Sequence, residues 1–319
     1  MRVIFLGSPE FAIESLKHVL SSRHEVIAVI TQPDAAAGRG HRLLPCPLKV
    51  FALSQNLKVL SFEKISRDGI DEIKALKPDI MVTVAYGQIL SQEVINIPKH
   101  GIINVHASLL PKYRGASPIQ SAIINGETET GVTIMKTEAG LDTGDILKVS
   151  KTNIGVHETA GELAARLSVI GAKALVEVLN EIEEGKATLT KQMQTQATIT
   201  TKLTKINCTI NFNKTAKQIS CLVRGSNPDP IARAYLNGEQ VKIYEATPRE
   251  DIASAQVRAG TIIAPTSAKD GVFVECGIGV LEIKKMQFPN GKVVDAKSLV
   301  AGRKIKEGMV FSDYASDQI

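Results

Sequence analysis

The sequence of 319 residues has no tryptophan, and no run in it approaches the roughly 18 apolar residues that suggest a helical membrane span. Its opening Met1-Arg2-Val3-Ile4-Phe5-Leu6 is too short for a signal-peptide core and runs straight into a Gly-Ser-Pro turn. These residues read as the first buried strand of a cytoplasmic protein. The four cysteines, Cys46, Cys208, Cys221 and Cys276, form no C-x-x-C pair and do not cluster with histidine. Reduced, partly buried thiols are therefore expected in place of disulfides or a zinc site. No other constellation of metal ligands stands out, and no internal repeat is visible. The dinucleotide fingerprint G-x-G-x-x-G is missing too: after the first strand stands Gly7-Ser8-Pro9-Glu10-Phe11, with one glycine and a proline at the helix start. That argues against a nucleotide-binding dehydrogenase.

What is present is the balance of an ordinary globular protein, 44% hydrophobic and 22% charged, at a length comfortable for two domains. The net charge of +5 is unevenly placed. Residues 1–200 hold 21 basic and 21 acidic side chains, whereas residues 201–319 hold 17 and 12, so the whole excess lies in the second part. A polyanion partner and a merely solvated basic face both fit that imbalance.

The first half alternates short apolar runs (Val3–Leu6, Val26–Ile30, Ile80–Val84, Ile102–Val105) with amphipathic stretches such as Phe11–Leu20, Leu48–Leu53 and Ile70–Leu76. This pattern predicts an α/β fold: a Rossmann-like open sheet of mostly parallel strands with helices on both faces. Gly131–Lys136 and Ile146–Thr152 read as a further strand pair. A long helix follows, opened by Thr159 and Glu162 in capping-box spacing and ended by Gly185. Residues 186–204 are rich in Thr and Gln without periodicity and read as a linker. Beyond them a helix over Thr215–Val223 and short alternating runs with Gly and Pro turns predict a small β-barrel, OB-like. The expected domains are 1–185, catalytic, and 205–319, the barrel.

In the predicted strand Ile102-Ile103-Asn104-Val105-His106, alternation puts Asn104 and His106 on one face, at the carboxyl end where open α/β sheets bind ligands. An amide donor and an imidazole facing one crevice suit oxyanion stabilisation and proton transfer. The pair equally suits a strand end whose polar groups are simply satisfied. Gly140-Leu141-Asp142-Thr143-Gly144-Asp145, between two predicted strands, is by itself a tight turn.

Together, N-x-H-x-S-L-L-P and the downstream G-L-D-T-G-D resemble the signature of the folate-dependent formyltransferase family. Asn104 to Gly115 match it almost throughout, with Ala107 where relatives also carry Gly or Pro. The resemblance implies a catalytic trio of Asn104, His106 and Asp142, a 10-formyltetrahydrofolate donor, and no metal. It implies that Ser108, Leu109, Leu110 and Pro111, with the backbone around Val84, Tyr86 and Gly87, line the pocket of the pterin-bearing carrier. Chemically, an amine attacks the formyl carbon while Asn104 and a protonated His106 bond the oxygen that gains charge. Asp142 would stabilise the charged imidazole and help move the amine's proton.

Thr31-Gln32-Pro33-Asp34, Gly38-Arg39-Gly40-His41-Arg42 and Leu44-Pro45-Cys46-Pro47-Leu48-Lys49 are similar to the insertion loop of the branch that formylates methionyl initiator tRNA. That likeness implies the acceptor, the amino group of methionine on the initiator tRNA, and tRNA contacts at Arg39 and Arg42. Lys284 and Lys285 open a run to residue 306 in which Asp295 is the single acid, and they are expected to contribute to a tRNA platform. Lys202–Phe212 and Arg224–Pro230 fall in register with the same branch. Its members usually have Asp-Trp where this chain has Asn211-Phe212, and Trp at the place of Asp229. A monomer is expected. The rival readings are a formyltransferase acting on a sugar or purine precursor, a hydrolase of formyltetrahydrofolate, and a non-catalytic tRNA-binding protein. The basic second half and the arginine loop weigh against the first two, and the intact trio against the third.

Gly38, Gly40 and the lack of an apolar stripe predict that residues 35–44 order on a partner. Rapid tryptic cleavage at Arg39 or Arg42 is expected in the free protein, with protection by initiator tRNA. Equal cleavage with and without bound tRNA would count against a contact there.

Overall fold

The computed structural model describes residues 1–37, 42–264 and 271–314. The chain forms two units: Met1–Pro118, Glu129–Asn153 and Ala164–Thr200 make the first, and Ile119–Thr128, Ile154–Leu163 and the residues from Thr201 onward make the second. No helix among the described residues is long and apolar enough to cross a membrane.

The strands of the first unit, in chain order, are β1 (Arg2–Gly7), β2 (Glu25–Thr31), β3 (Ala35–Ala37), β4 (Arg42–Leu44), β5 (Val59–Ser61), β6 (Ile80–Val84), β7 (Ile102–His106), β8 (Arg114–Gly115), β9 (Glu129–Lys136), β10 (Ile146–Asn153) and β11 (Ile199–Thr200). Seven form one sheet in the order β5-β2-β1-β6-β7-β9-β10. Strands β5 to β7 are parallel, and β9 and β10 form antiparallel pairs with their neighbours. Val3 to Leu6 and Ile80 to Val82 are wholly buried, as continuous apolar strands must be when helices cover both faces. The open, mostly parallel sheet is thus as expected, and β5, too short and too exposed to show an alternating pattern, is an added edge. The helix Ala160–Glu183 starts at the expected capping box: Thr159 Oγ1 accepts the Glu162 N–H, and Glu162 Oε2 accepts the Thr159 N–H at 2.9 Å.

Residues 186–200, expected to belong to a linker, are instead folded onto the first unit. Thr190 and Ile146 exchange two backbone hydrogen bonds of 2.8 Å, and β11 pairs in parallel with β8. Thr and Gln give this segment no apolar period, because its side chains and backbone bond to loops and do not fill a core.

The second unit contains β12 (Ala232–Leu236), β13 (Glu239–Arg249), β14 (Ile262–Ile263), β15 (Val272–Glu275), β16 (Val280–Gln287), β17 (Val294–Asp295) and β18 (Phe311–Ser312). The antiparallel order β14-β15-β16-β13-β12-β18 nearly closes into a barrel, because Ile262 N–H bonds Met309 O and Phe311 N–H bonds Gly260 O, both at 2.8 Å. The helix Ala216–Gly225 carries a capping box of its own, Thr215 with Gln218, and packs its apolar side into the barrel core. Phe212 is 4% exposed and stacks on Phe311 at 5.4 Å between centroids.

With no larger ring to close that core, Phe212→Ala leaves a cavity and is expected to cost the second unit about 3–5 kcal/mol. Hydrogen exchange read separately over β12–β16 and over β1–β6 checks this. Acceleration is expected in the former only.

Candidate active site

Strand β7 lies between β6 and β9, so its carboxyl end is supported from both sides. Asn104 stands opposite Thr83 of β6 in register, and the Thr83 hydroxyl donates to Asn104 Oδ1 at 3.0 Å. With the amide oxygen engaged inside the sheet, the Nδ2 hydrogens are the end left to donate. Asn104 is half-buried, whereas His106, two residues on, is 6% exposed. The His106 Nε2 lies 2.9 Å from the carbonyl oxygen of Tyr113. A carbonyl only accepts, so Nε2 carries a proton and the neutral ring keeps its lone pair on Nδ1.

That Nδ1 lies 3.6 Å from Asp142 Oδ2, too far for a hydrogen bond but close enough for the carboxylate to attract the ring once Nδ1 carries a proton. Asp142 sits in the turn between β9 and β10 with φ +52°, a left-handed conformation that Asp tolerates better than most residues. The same Oδ2 accepts the N–H of Gly115 at 2.7 Å. Gly115 itself has φ +96°, and a Cβ there would lie 2.5 Å from the Thr200 carbonyl oxygen, so the position requires glycine. The sheet and two loops thus bring His106 and Asp142 together, with Asn104 two residues before His106 on β7.

The residues expected to line the carrier's pocket lie at the end of β6 and in the loops after β6 and β7. Ser108 is fully buried and donates to the Lys112 carbonyl at 2.6 Å, while its own carbonyl accepts from the Thr133 hydroxyl of β9 at 2.7 Å. Leu110 is buried, and Leu109 and Pro111 are half-buried in the same pinned loop. Val84 ends β6 inside the core, and Gly87 is exposed at φ +85°. The ring of Tyr86 is not offered to a ligand: it is buried in the hydrophobic cluster with Leu90 and Val94, where burial pushes its phenol up to about 12. The Tyr86 carbonyl accepts a hydrogen bond from Gln32 Nε2 at 2.9 Å. Arg39, Gly38, Gly40 and His41 lie outside the described residues. Arg42 begins β4, its backbone paired with Ala37.

Lys284 and Lys285 are in the second unit. They lie between Ile283 and Met286, both wholly buried, where the register of β16 against β13 shifts. A bulge of this kind turns two consecutive side chains to the same outer side. Lys285 is exposed and paired with Glu245 at 2.9 Å, whose carboxylate raises the ammonium above its ordinary value, while Lys284 is half-buried.

Residues without an expected role also shape the site: Thr83, Thr133, Gly115, Arg114 and Gln192. Thr83, a polar residue inside an aliphatic strand, carried a readable signal. Gln192, in the supposed linker, carried none. A groove of about 660 Å³, lined by Pro98, His100, Lys136 and Leu147 among others, opens near the amino end of β7 and includes none of the trio. The chemistry is assigned by side-chain geometry and not by that volume.

Residues 1–179 match the family described as Formyl transferase, and residues 202–304 match Formyl transferase, C-terminal domain. The chain belongs to the formyl transferase family. Within that family it is 44% identical to a methionyl-tRNA formyltransferase of Acetivibrio thermocellus over 97% of this chain and 99% of that protein. It is 43% identical to a methionyl-tRNA formyltransferase of Alkaliphilus metalliredigens, over 98% of this chain and 99% of that one. Among solved structures, the sugar 3N-formyl transferase WlaRD, crystallised with dTDP and 5-N-formyl-THF, shares the fold at a TM-score of 0.68 and 22% identity, covering 92% of this chain and 99% of that one.

Removing the imidazole or the carboxylate should abolish most of the chemistry without unfolding the strand that carries it. His106→Ala and Asp142→Asn are each expected to lower turnover at least ~100-fold, with folate binding retained. Single-turnover formyl transfer and a folate titration measure the two quantities. Near-normal turnover of the His106 variant would sink the assignment.

Proposed function

We propose that this chain transfers the formyl group of 10-formyltetrahydrofolate to the amino group of methionine on initiator tRNA, giving the formylmethionyl-tRNA that begins translation in the cytoplasm. The observation that carries the chemistry is the His106 ring, fixed by Tyr113 so that Nδ1 faces Asp142, on the strand that also bears Asn104. The bound carrier supplies a formyl carbon whose oxygen takes up negative charge as the amine attacks. Asn104 Nδ2 and a protonated His106 Nδ1 donate to that oxygen. Asp142, anchored by Gly115, stabilises the imidazolium and relays the proton that leaves the attacking amine to the carrier's nitrogen, whose bond to the formyl carbon breaks as the intermediate collapses and tetrahydrofolate departs. The loop after β6 suits a flat, pterin-bearing carrier through its backbone: Ala85 at φ +49° and Gly87 at φ +85° are exposed, while Tyr86 is turned inward.

The acceptor is supported by relatives matched along both units and by the charge of the second. Lys284 and Lys285 project from one bulge, and Lys292, Lys297, Arg303, Lys304 and Lys306 follow them on exposed positions. A small acceptor would give that concentration of charge nothing to neutralise. Formyl transfer to charged initiator tRNA, compared with transfer to free methionine and with hydrolysis of the donor, decides between acceptors.

The basic run makes a separable prediction. Each lysine that neutralises a phosphate releases condensed counterions, so affinity falls steeply with salt. Replacing Lys284 and Lys285 together with Ala should weaken tRNA binding. The log–log salt slope should drop by roughly one unit, or somewhat less, for each of the two that touches a phosphate. Turnover at saturating tRNA should largely persist. An unchanged affinity and slope, repeated for further pairs in the run, would make it a solvated face only.

A further inference from the structure

The segment from Thr190 to Thr200 bonds to both loops that make the site. At one end, Thr190 and Ile146 pair just beyond the Asp142 turn. At the other, Thr198 Oγ1 accepts the Tyr113 N–H at 2.8 Å, Thr198 O accepts the Arg114 N–H at 2.8 Å, and Thr200 O accepts the Ala116 N–H at 3.1 Å. Tyr113 is the residue whose carbonyl fixes the His106 ring. Between the two ends lies Gln192, 8% exposed. Its Oε1 accepts from Arg114 Nε at 3.0 Å and Nη2 at 2.7 Å, while its Nε2 donates to the carbonyls of Asp142 at 2.9 Å and Gly144 at 2.7 Å. Both ends of one amide are thus engaged, one by the loop that orients His106 and the other by the turn that carries Asp142. Arg114 is 5% exposed and sends its Nη1 to Gln194 at 2.8 Å, so its guanidinium is a fixed partner.

We propose that Gln192 is a positioning residue for formyl transfer: it sets the Asp142 turn relative to the His106 loop, so that carboxylate and imidazole face one another. The proposal rests on the reading of Asp142 and His106 as catalytic groups. A buried amide suits the task because it accepts from a cation and donates to two carbonyls without bringing a second charge near the imidazole. Main-chain carbonyls are the right target, since holding both Asp142 O and Gly144 O fixes the turn while the Asp142 carboxylate stays available to its own partners.

Gln192→Glu separates the two halves of the role. It keeps the acceptor toward Arg114 and removes both donors, placing a carboxylate oxygen against two carbonyls. In the full-length protein we expect turnover to fall roughly 10- to 100-fold, the scale of an ångström-level misplacement. KM for donor and for charged tRNA should stay within about twofold, because the Gln192 side chain is buried and engaged with Arg114, Asp142 and Gly144. Because Gln192 acts through Asp142, the losses should not multiply: in an Asp142→Asn background, Gln192→Glu should cost less than about threefold more. Exchange of backbone amides in residues 137–147 should quicken at least about tenfold, with β1 and β6 unchanged. Unaltered turnover, losses that multiply with Asp142→Asn, or exchange that quickens throughout the unit would each overturn the proposal. Wild-type transfer to charged tRNA is measured alongside. If that alone fails, the acceptor reading falls, and the exchange comparison still decides whether Gln192 holds the turn.

Discussion

The N–H of Gly115 holds the carboxylate of Asp142, and the arrangement around His106 depends on that bond. Asp142 reaches its place from a turn between two antiparallel strands, His106 from the end of a parallel one, so nothing in either element brings the two side chains together. Gly115 links them because its chain leaves the Tyr113 carbonyl, the fixed partner of His106 Nε2, only two residues earlier. One short loop therefore determines both the tautomer of the ring and the position of the carboxylate beside it. The backbone can lie so close to Thr200 only because residue 115 has no Cβ.

Polar groups around this loop are engaged in both directions, which is what a buried polar network requires. Thr133 serves Ser108 and Leu110, Thr83 orients Asn104, and Arg114 is held by Gln192 and Gln194. The functional hydrogens that remain belong to Asn104 Nδ2 and, once the ring is protonated, to His106 Nδ1. In the proposed reaction, rigid supporting residues would let the amine and formyl group meet donors that need no rearrangement. The second unit is built on another principle. Its barrel is closed by backbone pairing and by the Phe212–Phe311 stack, and a bulge in β16 turns two lysines outward together, so a stable core and a charged exterior come from one strand.

Much of this was legible in the chain. Aliphatic runs of four or five residues marked the parallel strands, and the Thr159–Glu162 spacing marked the start of the long helix. The strand alternation that put Asn104 and His106 on one face needed only the period of two. The Asp142 turn was identifiable as part of a site through its likeness to a family, since a Gly- and Asp-rich turn has no chemical signature of its own. Ser108 and the backbone around Tyr86 were expected to line the carrier's pocket, and the side chains of both residues are buried. A motif does not distinguish a residue that touches a substrate from one that builds the loop beside it.

The sequence by itself determined the two-part organisation, the open sheet, the basic second half and the shared face of Asn104 and His106, because these follow from local pattern, composition and residue type. Only the tertiary structure decided where Asp142 points, which nitrogen of His106 faces it, and that residues 190–200 belong to the site. The first and last depend on hydrogen bonds between segments 27 to 85 positions apart, such as Gly115 with Asp142 and Tyr113 with Thr198, and the second on the bond of His106 to Tyr113, seven positions on. Such bonds impose no periodicity on either partner. Gln192 shows the reason most plainly: its amide looks the same in a solvated linker as in a buried clamp, and only the carbonyls and guanidinium folded around it make the difference.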